Sequence, residues 1–155
     1  MRRFIVVALV AGLLGGALVG PVDAKKKKPK PVKFSTTGTL VTSNPSEVEA
    51  GTGVTRAEFL NSCAVPQTQG LDAYVIELPA NVTKKNANVT LSGTGQGIVV
   101  DLDMYFFNAA CEETGAISTE ASNEAGLMAA GTKFVLVSAY FGHDIDFTFS
   151  SVSTK

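Results

Sequence analysis

From Phe34 to the C-terminus the chain repeatedly alternates apolar and polar residues one for one. A period of two puts every second side chain on one face of a strand but scatters the same residues around a helix, so the pattern favours sheets. In LDAYVIELP, Tyr74, Ile76 and Leu78 alternate with Ala73, Val75 and Glu77, and ANVTLSG sets Val89 and Leu91 on the same period. In IVVDLDMYFF one face carries Val100, Leu102, Met104 and Phe106; Asp101, Asp103, Tyr105 and Phe107 occupy the other. DIDFTFSS directs Ile145, Phe147 and Phe149 inward and Asp144, Asp146 and Thr148 outward. KFVLVSAYF is apolar on both faces, which suits a central strand.

Turn formers interrupt these runs at intervals of about ten residues. They are Gly51 and Gly53, residues 66–70, residues 79–81, residues 93–97, Gly131 and Gly142. Strands spaced in this way predict an all-β fold, an antiparallel β-sandwich. Shorter strands are expected near Thr37 to Val41 and Thr55 to Leu60. No helix is expected after the N-terminal leader, and EASNEAGLMAA, broken by Gly126, reads as a loop and a short strand.

Residues 1–24 form the leader. Arg2 and Arg3 precede an apolar run from Phe4 to Val19, and Val22 and Ala24 stand at the spacing that signal peptidase accepts. We expect general secretion with cleavage after Ala24, without a lipid anchor, since no cysteine lies near that point. An uncleaved membrane anchor is the alternative, because Lys25 to Lys28 follow the run like a stop-transfer flank. Gly12, Gly15, Gly16, Gly20 and Pro21 weaken a long helix there and favour cleavage. The 131 residues that remain (155 minus 24) suit one domain. The expected location is secreted or extracellular, with association to the cell surface.

Charge divides the rest of the chain. Residues 25–33, KKKKPKPVK, hold six lysines and no acid. Residues 34–155 hold five basic residues against thirteen acidic ones, so the segments carry about +6 and −8. Alternating lysine and proline cannot bury apolar area, and residues 25–33 are expected to be a disordered or polyproline-like tail ahead of a β-sandwich domain at 34–155. That tail suits contact with an anionic surface such as lipid headgroups or a cell-wall polymer; a solubilising spacer accounts for it equally well. Nucleic acid is not an expected partner, because the acidic domain would repel phosphates.

Cys63 and Cys111 are the only cysteines, and an exported chain with one even pair most simply bonds them to each other. Without CxxC spacing, zinc and thioredoxin-like chemistry find no support.

The order Tyr74-Val-Ile-Glu-Leu-Pro, Asn88-Val-Thr-Leu-Ser-Gly, Asp101-Leu-Asp-Met-Tyr-Phe-Phe, Ala130-Gly-Thr-Lys-Phe-Val-Leu-Val and Asp146-Phe-Thr-Phe resembles the bacterial pre-peptidase C-terminal domain over about residues 70–150. The resemblance implies a jelly-roll-like β-sandwich. It also implies an accessory, folding or substrate-binding role beside secreted peptidases rather than catalysis, and a collagen-binding relative uses calcium. The cysteine pair and FLNSCAVPQTQGLD are additions to that pattern, and here the chain resembles stand-alone exported proteins of actinobacteria.

Asp101 and Asp103 are the first candidates for chemistry. Residues i and i+2 of a strand lie about 6 to 7 Å apart on one side, a separation that glycosidase carboxylates also use. No tryptophan platform, cleft motif or third acid completes a sugar site, so we read the pair as the solvated face of a strand. Calcium is the expected ion if one binds, with Asp101, Asp103, Glu112 and Glu113 as ligands should the Cys111 loop fold back. His143 in YFGHDID reads as a surface loop residue, and no GxSxG, phosphate loop or HExxH occurs. Tyr105 and Phe107 share the acidic face. Either a neighbouring loop covers them, the favoured reading, or they form an exposed patch for a partner. Asn81 and Asn88 stand in NVT sequons, which matter only in a glycosylating host.

The expected function is therefore non-catalytic binding or accessory work outside the cell, with an extracellular protein or cell-wall polymer as partner. A structural envelope protein and a secreted hydrolase are the alternatives.

Overall fold

The computed structural model describes residues 29–42, 56–63 and 72–154. The leader, Lys25 to Lys28, and the turns expected around Gly51, Gly53 and residues 66–70 lie outside them. Six strands and one helix follow in the order β1 (Lys33–Thr42), α1 (Arg56–Ser62), β2 (Ala73–Glu77), β3 (Ala87–Phe107), β4 (Glu113–Ile117), β5 (Asn123–Met128) and β6 (Phe134–Ser153). All strand pairs are antiparallel.

Two long strands carry the architecture. The first part of β6 pairs with β2 on one side and with the end of β3 on the other; its second part pairs with β1 and with the start of β3. β4 flanks the end of β3, and β5 flanks its start. The sheet thus folds into two layers that share both long strands. Layer 1 is β2, early β6, late β3 and β4; layer 2 is β1, late β6, early β3 and β5.

The corner between the layers occupies the glycine-rich stretches. The register against β6 shifts between Thr94 and Gln96, between Gln96 and Asp101, and between Asp101 and Leu102, and such irregularities bend a strand. Gly142 has φ 112°, a conformation that disfavours L side chains. A Cβ added at Gly95 would lie 2.8 Å from the His143 carbonyl, so only glycine lets these backbones approach. Gly93 to Gly97 and Gly142 were expected to be turns separating strands; they bend strands that continue. Reversal fails because pairing resumes with the same partner strand beyond the break.

At the opposite end, hydrogen bonds extend the β3–β6 pairing of each layer and tie the loop after β5 to the loop after β2. The Lys133 N–H donates to the Phe107 carbonyl at 2.6 Å, the Gly131 N–H to Thr83 O at 2.8 Å, and the Thr154 N–H to Asn86 O at 2.8 Å.

Between the layers lies the main core, and its members are the inward half of each alternation. Ile76, Leu78, Val89, Leu91, Leu102, Met104, Phe106, Ile145, Phe147 and Phe149 are all buried in it. A fully buried side chain of this size contributes about 1.5–3 kcal/mol relative to exposure. Val135 and Val137 of β6 join them, and Leu136 faces the other way into a second cluster, as expected for a central strand.

That second cluster exists because the outer face of layer 1 is covered. α1 lays Phe59, 1% exposed, against Phe107 at 5.0 Å between ring centroids and Phe134 at 6.3 Å, both edge-on. Ala73, Val75 and Leu136 complete the cluster. The strand expected over Thr55 to Leu60 is thus corrected to a helix over its described part. Only Phe59 is buried among its neighbours, whereas a strand would bury alternate residues. Ala57, Glu58 and Leu60 are good helix formers. The turn closes with the Cys63 N–H donating to Phe59 O at 2.6 Å, and Cys63 has φ 49°.

The basic segment also ends earlier than expected. The Val32 N–H donates to Ser153 Oγ at 2.8 Å, the Ser153 N–H donates to Val32 O at 2.9 Å, and β1 starts at Lys33. Val32 packs on the core, so Val32 and Lys33 belong to the domain. Among the described residues no helix is long and apolar enough to cross a membrane.

Candidate functional site

Strand register sets out the outer face of layer 1 in rows. Glu77, Phe134 and Phe107 form one, Val75, Leu136 and Tyr105 the next, and Ala73, Ser138 and Asp103 a third. α1 reaches the phenylalanine end. Toward the corner, Asp101, Asp103, Tyr105 and Tyr140 line a recess of about 370 Å³ together with Ser118, Thr119 and Glu120.

The two aspartates face away from the main core, as alternation requires, but they are not solvated. Asp101 is 6% exposed and Asp103 5%. This corrects the reading of a wet strand face: period two assigns a side chain to a face and says nothing of whether that face is covered. Tyr105 Oη donates to Asp103 Oδ2 at 3.1 Å. Asp101 Oδ1 is buried without a hydrogen-bond partner, and a buried polar atom left in this way costs about 1–3 kcal/mol. Burial, and secondarily the charges of Asp103, Glu124 and Glu120, pushes the Asp101 carboxyl above the usual carboxylate range, against an opposing hydrogen bond from the Ala121 backbone. Buried Glu124 is held by Thr119, whose N–H and Oγ1 donate to its Oε1 at 2.9 and 2.6 Å.

None of the described residues lining the recess is basic. The ion pair of Lys133 with Glu77, at 2.6 Å, lies at the other end of the layer. The recess therefore concentrates acid without a described counter-charge. Chemically, it can accept a cation through charge-assisted hydrogen bonds and present aromatic faces to it.

The four carboxylates expected to bind calcium do not converge. Glu112 and Glu113 are exposed beside Cys111, beyond Phe107, and the strand from Asp101 to Phe107 rises about 20 Å. Glu112 Oε2 accepts from Asn108 Nδ2 at 2.8 Å. Among the described residues no three His, Cys, Asp or Glu side chains are placed to hold a metal ion. Phe107, 4% exposed, is covered by α1, so the exposed-patch reading of Tyr105 and Phe107 is corrected; Tyr105 is half-buried beside it. His143 is exposed opposite Gln96 and Thr42 and does not line the recess.

Cys63 and Cys111 are bonded, with Cα atoms 5.7 Å apart. The bond ties the end of α1 to the β3–β4 turn, where Asn108 Oδ1 accepts from the N–H groups of Ala110 and Glu112 at 2.8 and 3.0 Å.

Sequence reasoning missed Tyr140 and Phe141. They are 62% and 55% exposed and stack edge to face at 4.8 Å. Their position at the end of an otherwise buried run, just before Gly142, was the available signal. A larger hollow of about 550 Å³ lies among Thr37, Thr39, Ser92, Thr94 and Asp146 on layer 2. Its carboxylate already accepts from Thr39 Oγ1 at 2.7 Å, so it lacks the unmet demand that marks the recess.

No family model matches the chain, and a search of curated proteins finds no relative. Among solved structures, the chain is similar to one described as Bacillus endospore appendages that form a novel family of disulfide-linked pili. The TM-score is 0.41 at 9% identity, covering 80% of this chain and 86% of that one. It is also similar to the SPBc2 prophage-derived protein YomS, with TM-score 0.39, 16% identity and coverage of 79% and 96%. A glycosylation-associated protein complex, Gap123 from Streptococcus agalactiae, gives TM-score 0.33 and 12% identity over 76% and 44%. No function is taken from likenesses this distant.

Proposed function

We propose that the chain is an exported, non-catalytic binding module acting at or near the cell surface, and that its acidic recess receives a protonated amine of an extracellular protein. The leader and the single disulfide support an oxidising compartment outside the cytosol. An accessory role of the kind implied by the pre-peptidase C-terminal resemblance is compatible with this reading and belongs to the same proposal.

One observation carries it. The described lining of the recess brings Asp101, Asp103 and Glu120 together with two tyrosines and no basic residue, and Asp101 keeps one buried oxygen, Oδ1, without a hydrogen-bond partner. An ammonium group in the recess would lie beside the Asp101 and Asp103 side chains and meet the Tyr140 ring. A hydrolase reading draws no comparable support, since His143, the chain's one histidine, lies outside the recess.

The test is calorimetric titration of the exported chain with a blocked trilysine peptide and with the same peptide acetylated on every side chain. We expect the cationic peptide to bind at least about tenfold more tightly, and the preference to shrink in Asp101→Asn/Asp103→Asn and with added salt. Equal binding of both peptides, or binding of neither, refutes the proposal.

A further inference from the structure

We propose that the recess is filled by the lysine–proline segment of a second copy of this chain, residues 25–31, so that molecules associate head to tail. The inference rests on the recess accepting cations and adds the identity of the occupant.

Charge supplies the first argument. The recess gathers Asp101, Asp103 and Glu120 with no described basic residue lining it, and its Asp101 Oδ1 is buried without a partner. Residues 25–31 of the same chain, KKKKPKP, hold five lysines and no acid. Each segment lacks what the other has in excess.

Shape supplies the second. A lysine–proline segment favours the polyproline conformation, which loses little entropy on binding and characteristically docks against aromatic side chains. Tyr105 and Tyr140 line the recess, and Phe141 stacks on Tyr140 at 4.8 Å. Pro29 and Pro31 can lie on these rings while the neighbouring lysines reach the carboxylates.

Direction decides between the chain's own segment and another copy's. β1 runs toward the corner, from Lys33 opposite Val152 to Thr42 opposite His143. The residues before it therefore leave from the end of the molecule remote from the corner, whereas the recess lies at the corner and on the other layer. From Val32, anchored on Ser153, back to Lys25 is a polyproline length of about 22 Å. The return path along layer 1 is about 20 Å, with about 10 Å more between layers, and it starts in the wrong direction. Most of the lysines cannot reach their own recess. A neighbour's recess is under no such limit. Because donor and acceptor are different surfaces, the contact is heterologous and leaves both ends open for further copies.

Complementation tests the idea. One variant replaces Lys25, Lys26, Lys27 and Lys28 by Gln, leaving an acceptor without a donor; the other carries Asp101→Asn/Asp103→Asn, leaving a donor without an acceptor. By sedimentation velocity at low salt, the wild-type chain is expected to grow in mean size with concentration, each variant to stay monomeric, and their mixture to form a 1:1 dimer that grows no further. The synthetic peptide KKKKPKPV should shorten wild-type assemblies, a readout that needs no recess variant to fold. The inference is overturned if the mixture stays monomeric and the peptide leaves wild type unchanged, or if both variants assemble like wild type. Should trilysine bind the recess while the chain remains monomeric at every concentration, self-recognition is refuted and cation binding stands; if no lysine peptide binds, both fall.

Discussion

Replacing Cys63 and Cys111 together by Ser removes a crosslink between residues 48 apart in sequence. The enclosed segment contains β2 and all of β3, so the bond restricts the denatured chain across the strands that must find β6. In the chain-entropy treatment a loop of this length lowers denatured-state entropy by about 14 cal/mol/K, which is about 4 kcal/mol at 25 °C. Most small domains have a total stability of about 5–15 kcal/mol, so the loss would be a large part of the whole. Equilibrium unfolding in guanidinium chloride, comparing the oxidised wild type with the double variant, measures it. We expect a free energy of unfolding lower by about 4 kcal/mol and a steeper dependence on denaturant, because the uncrosslinked chain exposes more surface when unfolded. A loss below about 1 kcal/mol would refute the idea that the bond acts by confining the denatured ensemble.

Phe59→Ala removes the one buried side chain among the described side chains of α1 and uncovers Phe107 and Phe134. The expected cost is about 3–5 kcal/mol by urea unfolding, and a change under about 1 kcal/mol would contradict the packing of α1 on layer 1. The Asp101 carboxyl is raised, chiefly by burial and further by Asp103, Glu124 and Glu120, so the folded chain keeps this proton at a pH where the unfolded chain has released it. Its contribution is therefore fully present below the ordinary carboxylate range and is lost as pH rises through the raised folded value. Asp101→Asn removes that loss, and its melting temperature relative to wild type should climb from about pH 4 to about pH 7; a pH-independent difference would refute the assignment.

Legibility followed the physical content of each signal. Alternation in β2, β3 and β6 was readable because one face of each meets a core; Ile76, Met104, Phe106 and Phe147 lie where the period placed them. α1 was not readable, because seven residues with one buried phenylalanine carry too little periodicity to stand against a strand pattern. The glycines at 93–97 and 142 announced a change of direction but not its kind, since bend and reversal demand the same backbone freedom. The recess was half legible. Asp101, Asp103 and Tyr105 were picked out on one face, but Tyr140, Ser118, Thr119 and Glu120 come to it only through pairing and loop placement. The carboxylates of Glu112 and Glu113 were grouped with the aspartates by proximity in sequence, and a straight strand keeps them apart.

The pairing of Lys33 with Val152 has a temporal consequence. Synthesis delivers the N-terminal end first, so β1 must wait for β6, its sheet partner, until Val152 has emerged. The domain cannot mature piecemeal during synthesis.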